Sequence, residues 1–215
     1  MKRSKTDELL SIQSDEFVWS ECGLSEAHRD ILPVLRSWLG RAGIKRVLDI
    51  GSGNGSVANE LDKAGLELTG IEISHSGISI SRSAYPNIRF VHGGVDVPIP
   101  AEMRESFDAV ISIEVVEHLF QPRLLFERAS EALRPGGSLV VTTPYHGYLK
   151  NLALALSGKF DAHWHPLRDY GHVKFFSTRT LSELFEEQGF RVARIARVGR
   201  IPQLAKSMIL EGILQ

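Results

Sequence analysis

The sequence predicts an α/β fold, a mostly parallel β-sheet with helices on both faces and an antiparallel pair of strands at its C-terminal edge. Three observations predict it. Short β-prone runs alternate with segments of helical period along most of the chain, and strands separated by helices need crossover connections, which make them parallel and cover both faces of the sheet. The length of 215 residues, with 43% hydrophobic and 24% charged side chains and no repeat or low-complexity tract, suits one core, so Gly and Pro mark loops within a single domain. The last two β-prone runs, 191–198 and 207–213, are joined by residues 199–206 alone. That link is too short for a crossover helix, so the two are expected to run antiparallel.

The elements follow in order. Over 25–41, Ala27, Ile31, Leu35 and Leu39 recur at helical spacing behind Ser25, a good N-cap, and ahead of the stop signal Gly43. Residues 46–50 form a short β-prone run that enters Gly51-Ser52-Gly53-Asn54-Gly55, after which Val57, Leu61 and Ala64 mark one helix face. This is strand, glycine turn, helix. Further strands are expected at 66–73, 88–92, 107–113 and 138–143, and helices at 75–84, 123–133 and 178–188. Between 144 and 177 the pattern breaks into an aromatic, His-rich stretch, expected to be an insertion over the ends of the strands. The single domain thus divides into a helical lead-in (1–45), a core (46–143), an insertion (144–177) and a C-terminal helix with strands (178–215).

Composition excludes several classes of function. With 25 basic against 26 acidic side chains and a net charge of −1, the chain lacks the excess that drives bulk binding to nucleic acid, although a local basic groove is compatible with it. Cys22 is the sole cysteine, which rules out a disulfide framework or a cysteine zinc cluster and fits a reducing, cytoplasmic setting. Residues 1–10 are polar and charged, unlike a signal peptide, and no run approaches the roughly 18 apolar residues of a membrane span.

The glycine turn carries the first chemical signal. Glycines there allow a ligand close to the backbone, and a tight turn needing glycine for its own geometry reads the same way. The spacing is G-x-G-x-G, not the G-x-G-x-x-G of dinucleotide-dependent oxidoreductases. Asp49, two residues ahead of the first glycine, would repel a pyrophosphate and suits a cationic or amine-bearing ligand.

Here the sequence resembles the class I S-adenosylmethionine (SAM) dependent methyltransferases. Val47-Leu48-Asp49-Ile50-Gly51-Ser52-Gly53-Asn54-Gly55 is similar to their first motif, Glu72 stands at the end of the second strand, and 107–114 and 133–140 match the fourth-strand motif and the turn into the fifth strand. The resemblance implies a Rossmann-like, seven-stranded sheet with an inserted antiparallel last strand, and SAM as methyl donor with S-adenosylhomocysteine (SAH) as product. It implies cofactor contacts from Asp49, Gly51, Ser52, Gly53, Gly55, Glu72, Ile73 and Glu114, with Glu72 accepting from both ribose hydroxyls. One position departs. Gly94 stands where the family carries an Asp near the adenine amine, leaving Asp96 or a backbone carbonyl to make that contact.

Methyl transfer from a sulfonium is an in-line displacement with an activated donor, so alignment is the main task, plus deprotonation when the acceptor is a hydroxyl. Glu114, Glu117 and His118 are spaced i, i+3, i+4, and a helical turn would place them on one face as a half-site for a divalent metal. The plainer reading of the same residues is a cofactor contact or a cap on the next turn. The small-RNA 2′-O-methyltransferases are similar here, with a downstream His in a His-Lys-Phe-like run. That resemblance implies Mg, Mn or Zn held by Glu114, Glu117, His118 and His172. Without a metal, His172 or His118 is the candidate general base. Ubiquinone-pathway O-methyltransferases also look similar around Glu-x-x-Glu-His and Lys174-Phe175, and imply a phenolic hydroxyl on a lipid-tailed ring.

The apolar run 148–156 reads most simply as a packed helix, and otherwise as a cover for a greasy acceptor or a contact with a membrane surface. His163 and His165 flank Trp164, either at the acceptor or in a loop packed by its own aromatic. Arg191, Arg194, Arg197 and Arg200 recur every third residue, a spacing that cannot build one patch on a strand. They read as a solvated edge, and any that reach the site favour a phosphate-bearing sugar, lipid or RNA end. The leading expectation is O-methylation of a small-molecule or lipid-linked hydroxyl by a soluble enzyme. Metal-dependent RNA 2′-O-methylation, N- or C-methylation of a small metabolite, and a non-catalytic SAM-fold binding module follow. With the core committed to SAM, the acceptor is left to residues 1–30 and 144–177, which disfavours a nucleic-acid partner.

Overall fold

A computed structural model describes residues 17–164 and 166–215. The expectations for residues 1–10 and for His165 lie outside them. Seven strands form one sheet: β1 (Arg46–Ile50), β2 (Glu67–Glu72), β3 (Arg89–His92), β4 (Phe107–Ile113), β5 (Leu133–Pro144), β6 (Phe190–Val198) and β7 (Ser207–Leu214). Their order is β3-β2-β1-β4-β5-β7-β6. β1 pairs in parallel with β2 and β4, and β4 with β5, while β7 lies antiparallel between β5 and β6. The short link 199–206 therefore makes an antiparallel connection, as its length requires.

Seven helices among the described residues accompany the sheet: α1 (Glu26–Leu39), α2 (Ser56–Asp62), α3 (His75–Ala84), α4 (Arg123–Ala132), α5 (Tyr148–Leu156), α6 (Phe160–Trp164) and α7 (Thr178–Glu187). The N-cap of α1 is Ser25, as the sequence marks, while the helix closes at Gly40, ahead of the expected stop at Gly43. Ser25 Oγ accepts from His28 N at 3.2 Å and Ser25 N donates back to His28 Nδ1 at 3.3 Å, a reciprocal box that satisfies two donors at the start of α1. Two apolar layers sandwich the sheet. One packs Ile31, Leu35 and Leu39 of α1 with Val57 and Leu61 of α2. The other centres on Phe126 of α4, edge-on to Phe185 of α7 and Phe190 of β6 at 4.9 and 5.9 Å between centroids. Each such ring contributes about 1.5–3 kcal/mol by burial.

Two expectations change. The fifth strand begins at Leu133 instead of residue 138, because a register shift between Phe107 and Ala109 carries Arg134-Pro135-Gly136-Gly137 along the ladder. The run 148–156 is a helix, but not the packed one expected. Tyr148, Leu149 and Leu156 are 78%, 52% and 81% exposed while Lys150 is 7% exposed. The inversion goes with a long-range contact: Lys150 Nζ turns inward and donates to Lys206 O at 3.3 Å, within electrostatic reach of Glu114. No helix among the described residues is long and apolar enough to cross a membrane.

The topology positions the site. β1, β2 and β4 are parallel neighbours, so Gly51, Ile73 and Glu114 leave them at one edge of the sheet. Chain order reverses between β1 and β4, the switch point where open α/β sheets form a ligand crevice.

Candidate active site

The glycine turn is folded onto β2. Gly51 N and Ser52 N both donate to Ile71 O, at 2.8 and 3.0 Å. Gly51 has φ 82°, and a side chain there would run into Val115. Glu72 locks the far side: its Oε2 accepts from Gly53 N and its Oε1 from Ser74 N, both at 2.7 Å. Beneath the turn Asp49 is 1% exposed. Its carboxyl is pushed up to about 8, first by burial and then by the charge of Glu72. Asp49 Oδ1 and Ser52 Oγ are buried without a hydrogen-bond partner among the described residues. Such orphans call for a ligand or solvent donor. Ile73 is half exposed beyond the strand end. Asp96 is exposed, and its Oδ1 lies 2.5 Å from where a Cβ of Gly94 would be. Its carboxylate thus fills the space of the side chain missing at 94.

One contributor escaped the sequence reading. Trp19 lies across the glycine turn, its ring 2.5 Å from the Cβ position of Gly53 and 3.1 Å from that of Gly77. Trp19 N donates to Ser76 Oγ at 2.9 Å, and Asn54 Nδ2 holds the carbonyls of Glu21 and Gly23 at 3.0 and 3.1 Å. The only sequence signal was an aromatic pair, Phe17 and Trp19, in an otherwise polar lead-in.

The Glu-x-x-Glu-His stretch does not form the single helical face expected. Glu114 takes φ 55°, and only Val116–His118 forms a 3₁₀ turn. Glu114 is thereby swung aside: Oε1 accepts from Thr142 Oγ1 at 3.0 Å and Oε2 from Ser207 Oγ at 3.4 Å. Three of the four expected metal ligands converge without it, one ligand atom each of Glu117, His118 and His172 lying within 4.8 Å of one another. The downstream loop is pinned there by its backbone, since Val173 N and Lys174 N both donate to Glu117 O at 2.9 and 3.0 Å.

The electrostatics of this cluster are unusual. Glu117 is 1% exposed and neither of its carboxylate oxygens has a hydrogen-bond partner among the described residues. Burial, then the charge of Glu114, pushes its carboxyl well up, and burial likewise raises Glu114. Burial lowers His118, favouring its neutral form. His118 Nδ1 lies 2.9 and 3.2 Å from the carbonyl oxygens of Tyr170 and Gly171. Carbonyls only accept, so Nδ1 carries the hydrogen and Nε2 keeps its lone pair. The rings of His118 and His172 meet edge-on at 4.9 Å.

Beside the cluster is a cavity of about 480 Å³, bordered by Glu114, His172, Lys150 of α5 and Arg200. This is the size range of a small-molecule site. Trp164 stacks on Phe175 at 4.7 Å and packs against Phe160 and His146, so the loop is packed by its own aromatic, while His163 borders the cavity. Arg191, Arg194 and Arg197 stay on the exposed edge strand, Arg194 paired with Glu211 at 3.2 Å and Arg197 over the Tyr145 ring.

Comparison with known proteins identifies the family. The family model described as a methyltransferase domain matches residues 25–195. A ubiquinone biosynthesis O-methyltransferase of Aromatoleum aromaticum is 25% identical over 184 residues, covering 82% of this chain and 78% of that protein. One from Chelativorans is 32% identical over 152 residues, covering 67% and 58%. The chain thus spans less than two thirds of the length of several such relatives. Among solved structures, a 1,6-didemethyltoxoflavin-N1-methyltransferase of Burkholderia thailandensis, with its substrate and SAH bound, superposes with a TM-score of 0.66 at 17% identity, covering 88% of this chain and 79% of that one. The magnesium protoporphyrin IX methyltransferase of Synechocystis with bound SAH gives 0.65 at 17% identity, covering 91% and 90%. With the family model matching most of the chain, the protein belongs to the class I SAM-dependent methyltransferases.

Proposed function

We propose that the chain transfers the methyl group of SAM to a hydroxyl of a small acceptor, with His172 and His118 at the reacting oxygen. The observation that carries this reading is the convergence of Glu117, His118 and His172 beside a partly open cavity, at the end of the strand next to the glycine turn. The geometry supports the following roles at the cofactor. Asp49 Oδ1, buried and unpartnered, suits the cofactor's ammonium group. Glu72, at the end of β2, suits the ribose hydroxyls, and the turn Gly51–Gly55 leaves room for the backbone to approach. Ile73 and Asp96 flank the adenine side. Glu114, tied to Thr142 and Ser207, acts as a wall between cofactor and acceptor.

In the reaction an oxygen lone pair of the acceptor attacks the methyl carbon in line, the C–S bond breaks, and its electron pair leaves with sulfur as neutral SAH. The hydroxyl proton passes to the Nε2 lone pair of His118 or to the imidazole of His172, which imidazole's affinity for protons near neutral pH allows. Burial supplies the rest, because excluding water protects the sulfonium and fixes the approach.

A metal-assisted version is the second reading, favoured by the orphaned carboxylate of Glu117. One carboxylate and two imidazoles suit zinc or manganese, and Glu117, His118 and His172 would hold it. Such an ion supplies a lowered acceptor pKa. The exposed apolar face of α5, with Leu149, Leu152 and Leu156, supports an acceptor carrying an apolar tail, and makes peripheral contact with a lipid surface compatible. Calorimetric titration with SAH, followed by SAH production from catechol-type acceptors with and without EDTA and with His172→Ala, tests the reading. Absence of SAH binding refutes it.

A further inference from the structure

The cavity beside the cluster is lined by an unusual set of charges for a chain of net charge −1. Lys150, Lys159, Arg200 and Lys206 all border it, against the single carboxyl of Glu114. These four cations come from two separate parts of the chain. Lys150 and Lys159 arise in and just after α5, Arg200 and Lys206 in the β6–β7 connection. Lys206 is answered from outside, by Glu26 at 3.4 Å and Asp30 at 3.7 Å. Lys159 and Arg200 make no ion pair among the described residues.

Lys150 is the most telling. Its residue is 7% exposed, and its ammonium donates only a long bond to a backbone carbonyl. Burying an ammonium costs several kcal/mol unless it is paired, and a sequence that exposes Leu149 and Leu156 instead spends that cost for a reason. Burial and the nearby guanidinium of Arg200 pull Lys150 down to about 8. Like charges brought together in a partly closed cavity repel until an anion joins them. The remaining walls mix aliphatic side chains such as Pro144 and Leu154 with Ser157, Ser207, His163 and His172.

We propose that this cavity binds an oxyanionic group, carboxylate or phosphate, of the methyl acceptor, held by Lys150, Lys159 and Arg200 while the acceptor's hydroxyl faces His172. The proposal rests on the methyl-transfer reading for its hydroxyl, but its anion site stands on the cavity alone. The anion would serve as a handle. A fixed charge contact anchors the acceptor in one orientation, so the hydroxyl is presented to the methyl group and not to solvent. A compact anion fits better than a polyanion, since the cations border one partly open cavity of about 480 Å³ and do not form a track along the surface.

The test is calorimetric titration of the full chain, alone and saturated with SAH, at low ionic strength with three probes: inorganic pyrophosphate, 3,4-dihydroxybenzoate and the uncharged catechol. The expected result is binding of at least one anionic probe, at least tenfold tighter than catechol, weakened about tenfold by Arg200→Gln and again by Lys159→Gln, as charge-assisted hydrogen bonds are lost. Lys63→Gln, exposed and just past the end of α2, leaves it unchanged. Both variant sites are exposed, and unchanged SAH affinity certifies the fold. Pyrophosphate binding alone assigns a phosphate-bearing acceptor, dihydroxybenzoate alone a carboxylate. Failure of both anions to bind, or binding that survives the double variant, overturns the proposal. So does a 12-nucleotide RNA that binds far tighter than either probe. Failure of SAH to bind strikes the methyltransferase reading instead and leaves the anion result legible.

Discussion

Replacing Asp49 by Asn should weaken cofactor binding and stabilise the unliganded protein at the same time. The carboxyl sits 1% exposed with Oδ1 unpartnered, and burial with the charge of Glu72 pushes it up to about 8. At pH 7 the neutral form of such an acid prevails by about ten to one, and ionising it to meet an ammonium costs about 1.4 kcal/mol. SAH affinity should therefore rise about tenfold per pH unit between pH 6 and 7.5, where the ammonium of SAH keeps its proton. Stability runs the other way. A group raised from 3.8 in the unfolded chain to about 8 in the fold makes the folded state bind more protons, so its contribution is complete below about pH 4 and is lost as pH climbs to about 8. At roughly 1.4 kcal/mol per pH unit, the interval from 3.8 to 7 bounds that loss at about 4 kcal/mol. Asp49→Asn removes both effects. Its SAH affinity should be low and independent of pH, and its unliganded melting temperature at pH 7.5 should exceed that of the wild type by several degrees. Calorimetric titrations in half-unit pH steps at fixed ionic strength, with thermal melts in the same buffers, give both readouts. A flat profile in the wild type, or a slope retained in the Asn variant, refutes the assignment of Asp49 to the cofactor's ammonium group.

Other expectations follow from the same geometry. Glu117→Gln keeps the shape but removes a buried, unpartnered carboxylate, so turnover should fall by at least about a hundredfold while the melting temperature stays level or rises; a variant that melts early and keeps its turnover contradicts the role given to Glu117. Trp19 lies on Gly53 and Gly77, so saturation with SAH should change tryptophan emission, and Trp19→Phe should abolish most of that change, Trp38 and Trp164 serving as the background. Phe126→Ala opens a hole beside Phe185 and Phe190 and should cost about 3–5 kcal/mol in denaturant unfolding, with SAH affinity in the remaining folded fraction unaltered.

Much of the scaffold was legible because its signals are local. The run Arg46–Ile50 with the glycines behind it, the helix His75–Ala84 and the strand Phe107–Ile113 coincide with their expected bounds, since alternation, caps and glycine turns act within a few residues. The pairing of Asp49 with a glycine turn was equally readable, as both lie within seven residues. The insertion was not. Its helix α5 carries leucines that local pattern assigns to a core and a lysine that it assigns to solvent, and the structure exchanges them.

What the sequence determined by itself is the order of strands and helices and the cofactor motifs along 46–143, because each depends on neighbours in the chain. What only the tertiary structure decided is which polar groups share a site. Glu114, Glu117 and His118 look equivalent at i, i+3, i+4, yet a left-handed residue at Glu114 hands it to Thr142 and Ser207, while backbone bonds to Glu117 O bring His172 in from 55 residues away. The same holds for Lys150, Lys159 and Arg200. Their distance in sequence hides them from any periodicity, and only the antiparallel return of β7 against β5 closes the cavity they line. Long-range contacts of this kind carry no local signature, since their free energy comes from desolvation and charge in a space that exists once the chain has folded.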